Sequence, residues 1–386
     1  MAADKEDLVT LNLKLLFSAG IIPTPGIAAS KWKLRVYRLY PVVMAILYAM
    51  VFVAQSMAIY KFWRDLDAIT DNAFTMVGVF MCYIMAGYAI SHTEPLLRLI
   101  QVLETELPNK EAPVLEAARK SRLLTMAMFV IVHGMLSTWI AAPITLRYAQ
   151  DTEEELDKNK PYPYFCFIIW LPFDASQSPI YEIVYIVQTL CFLMASLYYT
   201  SINTLFITFI IHTAAQFRIL VASLGQLDAN EGDEYFVQCI KHHQAIIKFV
   251  KEMNSVLSPL LLFFFFCSQM IMCVVTFQVV LSWGEGNNQL KFILGLMAAM
   301  CGPLMFCWFG TEMIQEGLAV EHAVYGCKWY ERPTNFRRLL GMVLMRAQKP
   351  VLLTAGQFYD VSLTSFTQML NAVYTYFAVL KQLYDD

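Results

Sequence analysis

Seven long apolar segments constrain the fold of this chain more than any other feature. A helix needs about 20 mostly apolar residues to cross a bilayer. Segments of that length run over 39–60, 72–92, 123–146, 181–212, 256–282, 291–314 and 359–383. Hydrophobic residues make up 58% of the 386 and charged residues only 15%, which excludes an ordinary soluble domain. The sequence therefore predicts an all-α membrane protein with seven transmembrane helices.

The basic residues predict the side of the membrane on which each connection lies. With a cytoplasmic N-terminus, the inner segments hold 21 of the 28 Lys and Arg residues and the outer segments hold 7. Cytoplasmic loops carry an excess of Lys and Arg. We therefore predict a cytoplasmic N-terminus and an extracellular C-terminus. This orientation is the reverse of that of a G-protein-coupled receptor, whose helix-end motifs are also missing from the sequence.

Helical periodicity continues beyond membrane thickness on the inner side. The fourth helix is expected to continue to Gly225, and a run from Tyr235 to Leu257 leads into the fifth. The prediction divides the chain into three parts. Residues 1–314 form helices 1–6, with helices 4–6 extending into the cytoplasm. Residues 315–358 form a cytoplasmic helical hairpin, and 359–386 form the seventh helix and a short extracellular tail.

The sequence lacks the residue patterns of an enzyme, a metal site or a nucleic-acid-binding protein. His242 and His243 are adjacent, so on a helix they point about 100° apart and cannot bind one metal ion together. Of nine cysteines only Cys166 lies in a predicted outer loop, which excludes a disulfide framework. Basic residues follow membrane sidedness and form no single patch. We therefore predict no catalytic residues, no metal, no cofactor and no nucleic-acid partner.

An acidic run lies in the longest outer loop, at 151–157. It could raise the local concentration of cations near a pore mouth, or it could simply be a solvated face. The sequence leaves both readings open.

The last apolar segment carries a stripe of polar residues. On a helix, at about 100° per residue, these residues fall within roughly 60° of one another. They are Thr364, Gln368, Asn371, Thr375 and Gln382. A spanning helix with such a stripe faces either a water-filled pathway or a neighbouring helix with which it shares hydrogen bonds. Periodicity alone does not decide between them.

Two apolar residues, Val379 and Leu383, lie beside this stripe at the end of the helix, where an apolar ring can close a pore by dewetting. The sequence from Thr375 to Leu383, TYFAVLKQL, resembles the C-terminal signature of the insect chemoreceptor superfamily. That signature is Thr-Tyr, a short hydrophobic run, and Gln followed by a large apolar residue. The resemblance implies that the last helix lines the cation pore of a tetrameric ligand-gated channel and that residues 315–358 form its cytoplasmic anchor helix region. Val379 and Leu383 would form the gate, with Gln382 close by. Lys381 departs from the apolar residue of the shared co-receptor.

The passage from Pro172-Phe173-Asp174 through Tyr181, Tyr185 and Gln188 is typical of the odorant-receptor branch of that superfamily. The connection 213–255 is too short for the co-receptor itself. The resemblance thus implies an odorant-tuned subunit that forms a non-selective cation channel with the co-receptor. It would lie in the plasma membrane of sensory neuron dendrites. A gustatory receptor that forms a homotetramer, and a metabotropic seven-helix receptor, are the alternatives.

The resemblance also implies a pocket for a small volatile ligand in the outer half of the bundle, among the second, third, fourth and sixth spans. Apolar and aromatic walls with few polar groups suit such a ligand. Depth and helical phase select twelve candidates: Met76, Phe80, Tyr83, His133, Leu136, Trp139, Tyr185, Gln188, Thr189, Phe192, Phe292 and Leu296. Each of them could instead serve ordinary bundle packing. For His133 the alternative is a hydrogen bond between helices.

Overall fold

The computed structural model describes residues 8–64, 66–107, 111–150, 165–173, 175, 177–227, 233–281 and 287–385. Over these ranges the backbone forms eleven α-helices and one small hairpin. The helices are α1 (Thr10–Ser18), α2 (Pro25–Ala28), α3 (Lys31–Lys61), α4 (Leu66–Ser91), α5 (Thr93–Gln101), α6 (Ala112–Gln150), α7 (Ile180–Gly225), α8 (Asp233–Leu281), α9 (Asn287–Gly326), α10 (Thr334–Ala347) and α11 (Leu363–Asp385). A π-helical turn (Val102–Glu106) follows α5, and a 3₁₀ turn (Trp329–Glu331) precedes α10.

Six of these helices are long and apolar enough to cross a membrane: α3, α4, α6, α7, α8 and α9. Helices α7, α8 and α9 contain 46, 49 and 40 residues. At 1.5 Å per residue they are about 60–74 Å long, roughly twice the thickness of a bilayer core. These three helices are therefore longer than a bilayer core is thick, and their extension into the cytoplasm stays a prediction. A seventh span and the orientation of the termini remain predictions.

The last helix begins later than predicted. Two short antiparallel strands, β1 (Thr354–Ala355) and β2 (Tyr359–Asp360), precede it, so α11 starts at Leu363 rather than at residue 359. The turn between the strands contains Gly356 with φ of +60° and Gln357 with φ of +64°. Glycine adopts this left-handed conformation without steric cost. Helix α11 then has 23 residues, enough to span a bilayer, but it carries the polar stripe.

Helix α7 forms the centre of the bundle. Every residue from 200 to 217 is buried, so the helix is covered on all sides over almost five turns. It packs against α4, α6, α8 and α9, and also against the N-terminal helix α1. There Asn12 Nδ2 donates a hydrogen bond to Thr204 Oγ1 at 3.0 Å. The N-terminal segment is therefore packed into the core of the molecule.

Two further sequence predictions concern the connections. The amphipathic helix expected within 315–358 is present as α10, which ends at Ala347, just before Lys349 and Pro350. Its Phe336 is buried and packs on Phe236 of α8, with ring centroids 4.5 Å apart. The acidic run at 151–157 lies outside the described residues.

Candidate ligand site and pore helix

A cavity of about 170 Å³ lies in the bundle between α4, α6, α7, α8 and α9. Its walls are almost entirely apolar. Aromatic, methionine, aliphatic and small residues line it, including Phe74, Met135, Trp139, Phe192, Ile271 and Gly295. Trp139 forms one corner, because its ring packs on Phe74 at 5.3 Å and on Phe192 at 6.3 Å. An apolar cavity with few polar groups is the usual form of a small-molecule site.

Two glycine residues leave part of this space open. Gly78 of α4 and Gly295 of α9 both line the cavity. A Cβ atom added at Gly295 would lie 3.6 Å from Phe74 Cζ and 3.7 Å from Met135 Cε, which is ordinary contact. A larger side chain at Gly295 would therefore project between Phe74 and Met135 and fill the cavity.

Three of the twelve predicted pocket residues line the cavity: Leu136, Trp139 and Phe192. The other nine do not belong to its walls: Met76, Phe80, Tyr83, His133, Tyr185, Gln188, Thr189, Phe292 and Leu296. Several of them are engaged in contacts within the bundle. Tyr83 stacks on Tyr48 at 4.3 Å and donates its hydroxyl proton to the Cys191 carbonyl. Phe80 packs on Phe52 at 5.5 Å.

The predicted polar contacts of the fourth span also have partners of their own. Gln188 is completely buried and bonds to the backbone of Phe167, accepting from its N–H at 3.3 Å and donating to its carbonyl at 3.4 Å. Tyr185 donates to the Ile140 carbonyl, and Thr189 Oγ1 lies 4.0 Å from Cys166 Sγ. These contacts hold the segment 165–173 and α6 against α7.

His133 joins two helices beside the cavity. Its Nδ1 lies 2.9 Å from the Phe129 carbonyl on its own helix, and its Nε2 lies 3.3 Å from Ser196 Oγ on α7. This is the interhelical hydrogen bond that the sequence left as an alternative to ligand contact. Ser196 itself lines the cavity, so His133 lies directly behind its wall.

The structure adds lining residues that the sequence did not select, notably Tyr199 on α7 and Ser268 on α8. Phe192, Ser196 and Tyr199 follow a spacing of four and three residues and share one helical face, which could have identified Tyr199. Ser268 had no such signal, because it follows the run of four phenylalanines at 263–266, which reads as simple core.

Helix α9 runs from the cavity wall to the start of α11. Cys301 lines the cavity, and Gly310 lies nine residues further on, about 14 Å along the helix. Thr311 Oγ1 accepts a hydrogen bond from the Leu363 N–H at 2.9 Å. A Cβ atom at Gly310 would collide with the backbone carbonyl of Val361. Glycine at this position therefore permits backbone-to-backbone contact between α9 and the segment that enters α11.

The same part of α9 is joined to the other cavity helices by ion pairs. Glu312 accepts hydrogen bonds from Lys120 of α6 at 3.0 Å and from Arg218 of α7 at 2.7 Å. Arg218 also donates to Glu316 at 2.7 Å. The Lys120 ammonium lies 4.9 Å from the ring centroid of Phe309. One helical turn of α9 thus contacts α6 and α7 on one side and the start of α11 on the other.

The polar stripe of α11 faces away from the rest of the chain. Phe366, Met369 and Val373 are buried against α8 and α9. On a helix these residues point roughly 180° from the stripe. The stripe residues are all exposed: Thr364, Gln368, Asn371, Thr375 and Gln382.

Of the two predicted gate residues, the structure describes the side chain of Val379 only. Val379 is 51% exposed, next to the exposed stripe. The side chain of Leu383 lies outside the described part of the chain.

Comparison with known proteins places these features in a family context. The family model 7tm Odorant receptor matches residues 65–374. The chain is 23% identical over 355 residues to Odorant receptor Or2 of Anopheles gambiae, covering 86% of this chain and 89% of that protein. It is 29% identical over 144 residues to the odorant receptor coreceptor of the same species, covering 37% of this chain and 30% of that protein. The solved insect olfactory receptor OR5 from Machilis hrabei, in complex with eugenol, has a similar fold, with a TM-score of 0.82 at 16% identity over 97% of each chain.

Proposed function

The chain belongs to the 7tm odorant receptor family, and from this we propose that it is the odorant-binding subunit of a ligand-gated cation channel. One observation carries the proposal. A single helix, α9, both lines the apolar cavity and contacts the start of α11, whose polar stripe faces outward. Ligand binding and ion conduction would then be linked through one rigid element.

The cavity would hold the odorant. Its apolar lining favours a ligand that leaves water by the hydrophobic effect and gains dispersion contacts. The solved relative from Machilis hrabei was captured with eugenol, and we propose that this chain likewise takes a small volatile organic compound. Of the twelve residues selected from sequence, the odorant would contact Leu136, Trp139 and Phe192.

The size of the cavity can be tested by filling it. We expect Gly295→Leu to weaken odorant-evoked current at least tenfold in apparent potency, because the new side chain occupies the space beside Phe74 and Met135. Concentration–response curves in cells that express the channel complex measure this effect. Gly87→Leu is the matched control, since Gly87 lies on α4, is exposed, and has open space around it. An unchanged response in Gly295→Leu would place the ligand elsewhere.

The outward face of α11 would line the ion pathway. In a closed assembly, polar stripes from several subunits would meet around a central axis, with Val379 and Leu383 at the narrow end. Odorant binding would favour an open state in which these helix ends separate, to the extent that the odorant binds the open state more tightly. The ion pairs of Glu312 and the contact at Gly310 would transmit that preference from the cavity to α11.

The remaining subunits would be odorant co-receptor chains. Similarity to the Anopheles gambiae odorant receptor coreceptor over 144 residues supports such a partnership. The outer face of α10, where Met342 and Met345 are exposed, would contribute to contacts in a cytoplasmic anchor. The complex would lie in the plasma membrane of sensory neuron dendrites, with the N-terminus inside and seven helices crossing the bilayer.

Co-expression tests the proposal directly. We expect volatile compounds to evoke cation current only when this chain and an insect odorant co-receptor are expressed together, because the pore needs both. A C-terminal epitope that antibodies reach on intact cells would measure surface delivery and test the orientation. Current from this chain alone would favour a homotetramer. Silence with full surface delivery, across a broad odorant panel, would contradict the channel proposal.

A further inference from the structure

The hydroxyl groups of the cavity differ in how they are bonded. Thr75 Oγ1 donates to the Asn72 carbonyl at 3.0 Å. Ser196 Oγ lies 2.7 Å from the Leu193 carbonyl and 3.3 Å from His133 Nε2, and its single proton is donated to one of these two acceptors. The protons of both hydroxyl groups are therefore committed to partners within the bundle. They border the cavity without offering a donor to it.

Tyr199 and Ser268 are different. Both line the cavity, and within the described part of the chain neither hydroxyl has a hydrogen-bond partner. Ser268 is 97% buried, since only 3% of its surface is exposed. A serine in a helix can bond to the carbonyl four residues earlier, but Ser268 does not. Two unused donors therefore remain in an otherwise apolar cavity.

The two hydroxyl-bearing residues lie near each other in the fold. The Tyr199 ring packs on Phe264 of α8 with centroids 6.3 Å apart, and Ser268 is one helical turn beyond Phe264 on the same face. The absence of a side chain at Gly302 leaves room for the Tyr199 hydroxyl against α9, where a Cβ atom would collide with it. Packing thus holds this hydroxyl in place at the junction of α7, α8 and α9.

The cavity volume limits the ligand. A protein cavity of about 150 Å³ with an apolar lining holds benzene. The cavity of about 170 Å³ in this chain therefore suits one six-membered ring with a small substituent.

We propose that the cavity selects a volatile compound of one-ring size that carries a hydrogen-bond-accepting oxygen, such as a ketone or aldehyde, and that the hydroxyl groups of Tyr199 and Ser268 donate to this oxygen. This inference rests on the proposed function and specifies the chemical class of its ligand. The ring fills the apolar part beside Trp139 and Phe192, while the oxygen meets the two donors. A hydrocarbon of the same shape leaves both donors unpaired and binds more weakly.

Pairs of compounds that differ only at the oxygen test the proposal. In acetophenone and α-methylstyrene, benzaldehyde and styrene, and cyclohexanone and methylenecyclohexane, a carbonyl oxygen is replaced by a methylene group. Concentration–response curves are recorded from the complex with the co-receptor. Each hydrogen bond contributes roughly threefold to tenfold in affinity. In at least one pair we therefore expect the carbonyl compound to be about tenfold more potent than the hydrocarbon, or better.

Variants then assign the preference to residues. We expect Tyr199→Phe and Ser268→Ala each to lower the potency of the carbonyl compound roughly threefold to tenfold and to leave that of the hydrocarbon unchanged. Ser196→Ala is the matched control, since it removes a hydroxyl from the same cavity whose proton is already donated within the bundle, to the Leu193 carbonyl or to His133 Nε2. It should keep the preference for the carbonyl compound.

The outcomes separate this inference from the proposed function. Equal potency within every pair, equal losses for both members of a pair in Tyr199→Phe, or responses only to volatiles outside this size class would each overturn the inference and leave the channel intact. Silence to every volatile, with the complex at the cell surface, would overturn the proposed function and the inference with it.

Discussion

Gly310→Ala is expected to abolish odorant-evoked current. The added Cβ atom would lie 3.0 Å from Val361 Cγ1 and within collision distance of the Val361 backbone carbonyl oxygen. A carbonyl fixed between β2 and α11 cannot turn aside as a flexible side chain can. Either α9 or the start of α11 must move, which breaks the hydrogen bond from the Leu363 N–H to Thr311. Overpacking of this kind costs about 1–3 kcal/mol.

A second glycine on the same helix provides the control. At Gly317 a Cβ atom would lie 3.6 Å from the Phe217 ring, which is ordinary van der Waals contact. Gly317→Ala should therefore retain current and gain up to about 1 kcal/mol from helix propensity. Surface delivery, thermal stability of the purified complex and evoked current are measured for both variants. Wild-type stability and current in Gly310→Ala would show that the contact between α9 and Val361 is not needed.

The elements predicted most reliably from sequence are those set by composition and period. Membrane-length apolar runs identified α3 to α9 apart from α5, because transfer to lipid depends on the segment itself. The helix in 315–358 followed from its amphipathic spacing and ended near Pro350, as expected of a residue that interrupts helices.

The hairpin before α11 could not be predicted, because its partners are about 100 residues away. The Thr354 N–H donates to Asn254 Oδ1 at 2.8 Å, and the Gly356 N–H donates to Ser258 Oγ at 2.9 Å. Both bonds require α8 to be in place beside this segment. Nothing in the sequence of residues 350–362 indicates these two hydrogen bonds. The sequence therefore predicts that the last helix begins at residue 359, four residues before its observed start at Leu363.

The sequence likewise predicts only part of the candidate site. Depth and helical phase selected three residues that line the cavity, Leu136, Trp139 and Phe192, and nine that do not. Whether a residue faces the cavity or another helix depends on how each helix is rotated against its neighbours, which the sequence of one helix does not contain. The ligand contacts of these residues stay a prediction. Gln188 reads as a polar pocket residue, yet it is bonded to the backbone of Phe167, in a loop whose position only the folded chain reveals.

For α11 the sequence was informative about the stripe and uninformative about its surroundings. The single chain buries the face opposite the stripe and leaves the stripe itself exposed. Five polar groups on one face of a 23-residue helix would be costly against lipid. In the proposed channel this face would meet water or partner subunits instead.

Val379→Ser is expected to raise the current that flows without odorant several-fold. Val379 is 51% exposed beside the stripe, near the end of α11. An apolar constriction blocks ions by excluding water, and a hydroxyl at that position would help water to remain. Leu383→Ser should act in the same direction. Basal current, its block by a pore blocker and single-channel conductance are measured in the complex with the co-receptor.

Val379→Leu is the control, because it changes the side chain without making it polar. Leucine keeps the position apolar, so basal current should stay at the wild-type level or below, while evoked current is retained or reduced by the narrower opening. If leucine and serine raised the basal current alike, loosened packing and not hydration would be the cause. If both serine variants matched the wild type in leak, block and conductance, Val379 and Leu383 would not form the gate. The constriction would then lie on the co-receptor chains or elsewhere along α11.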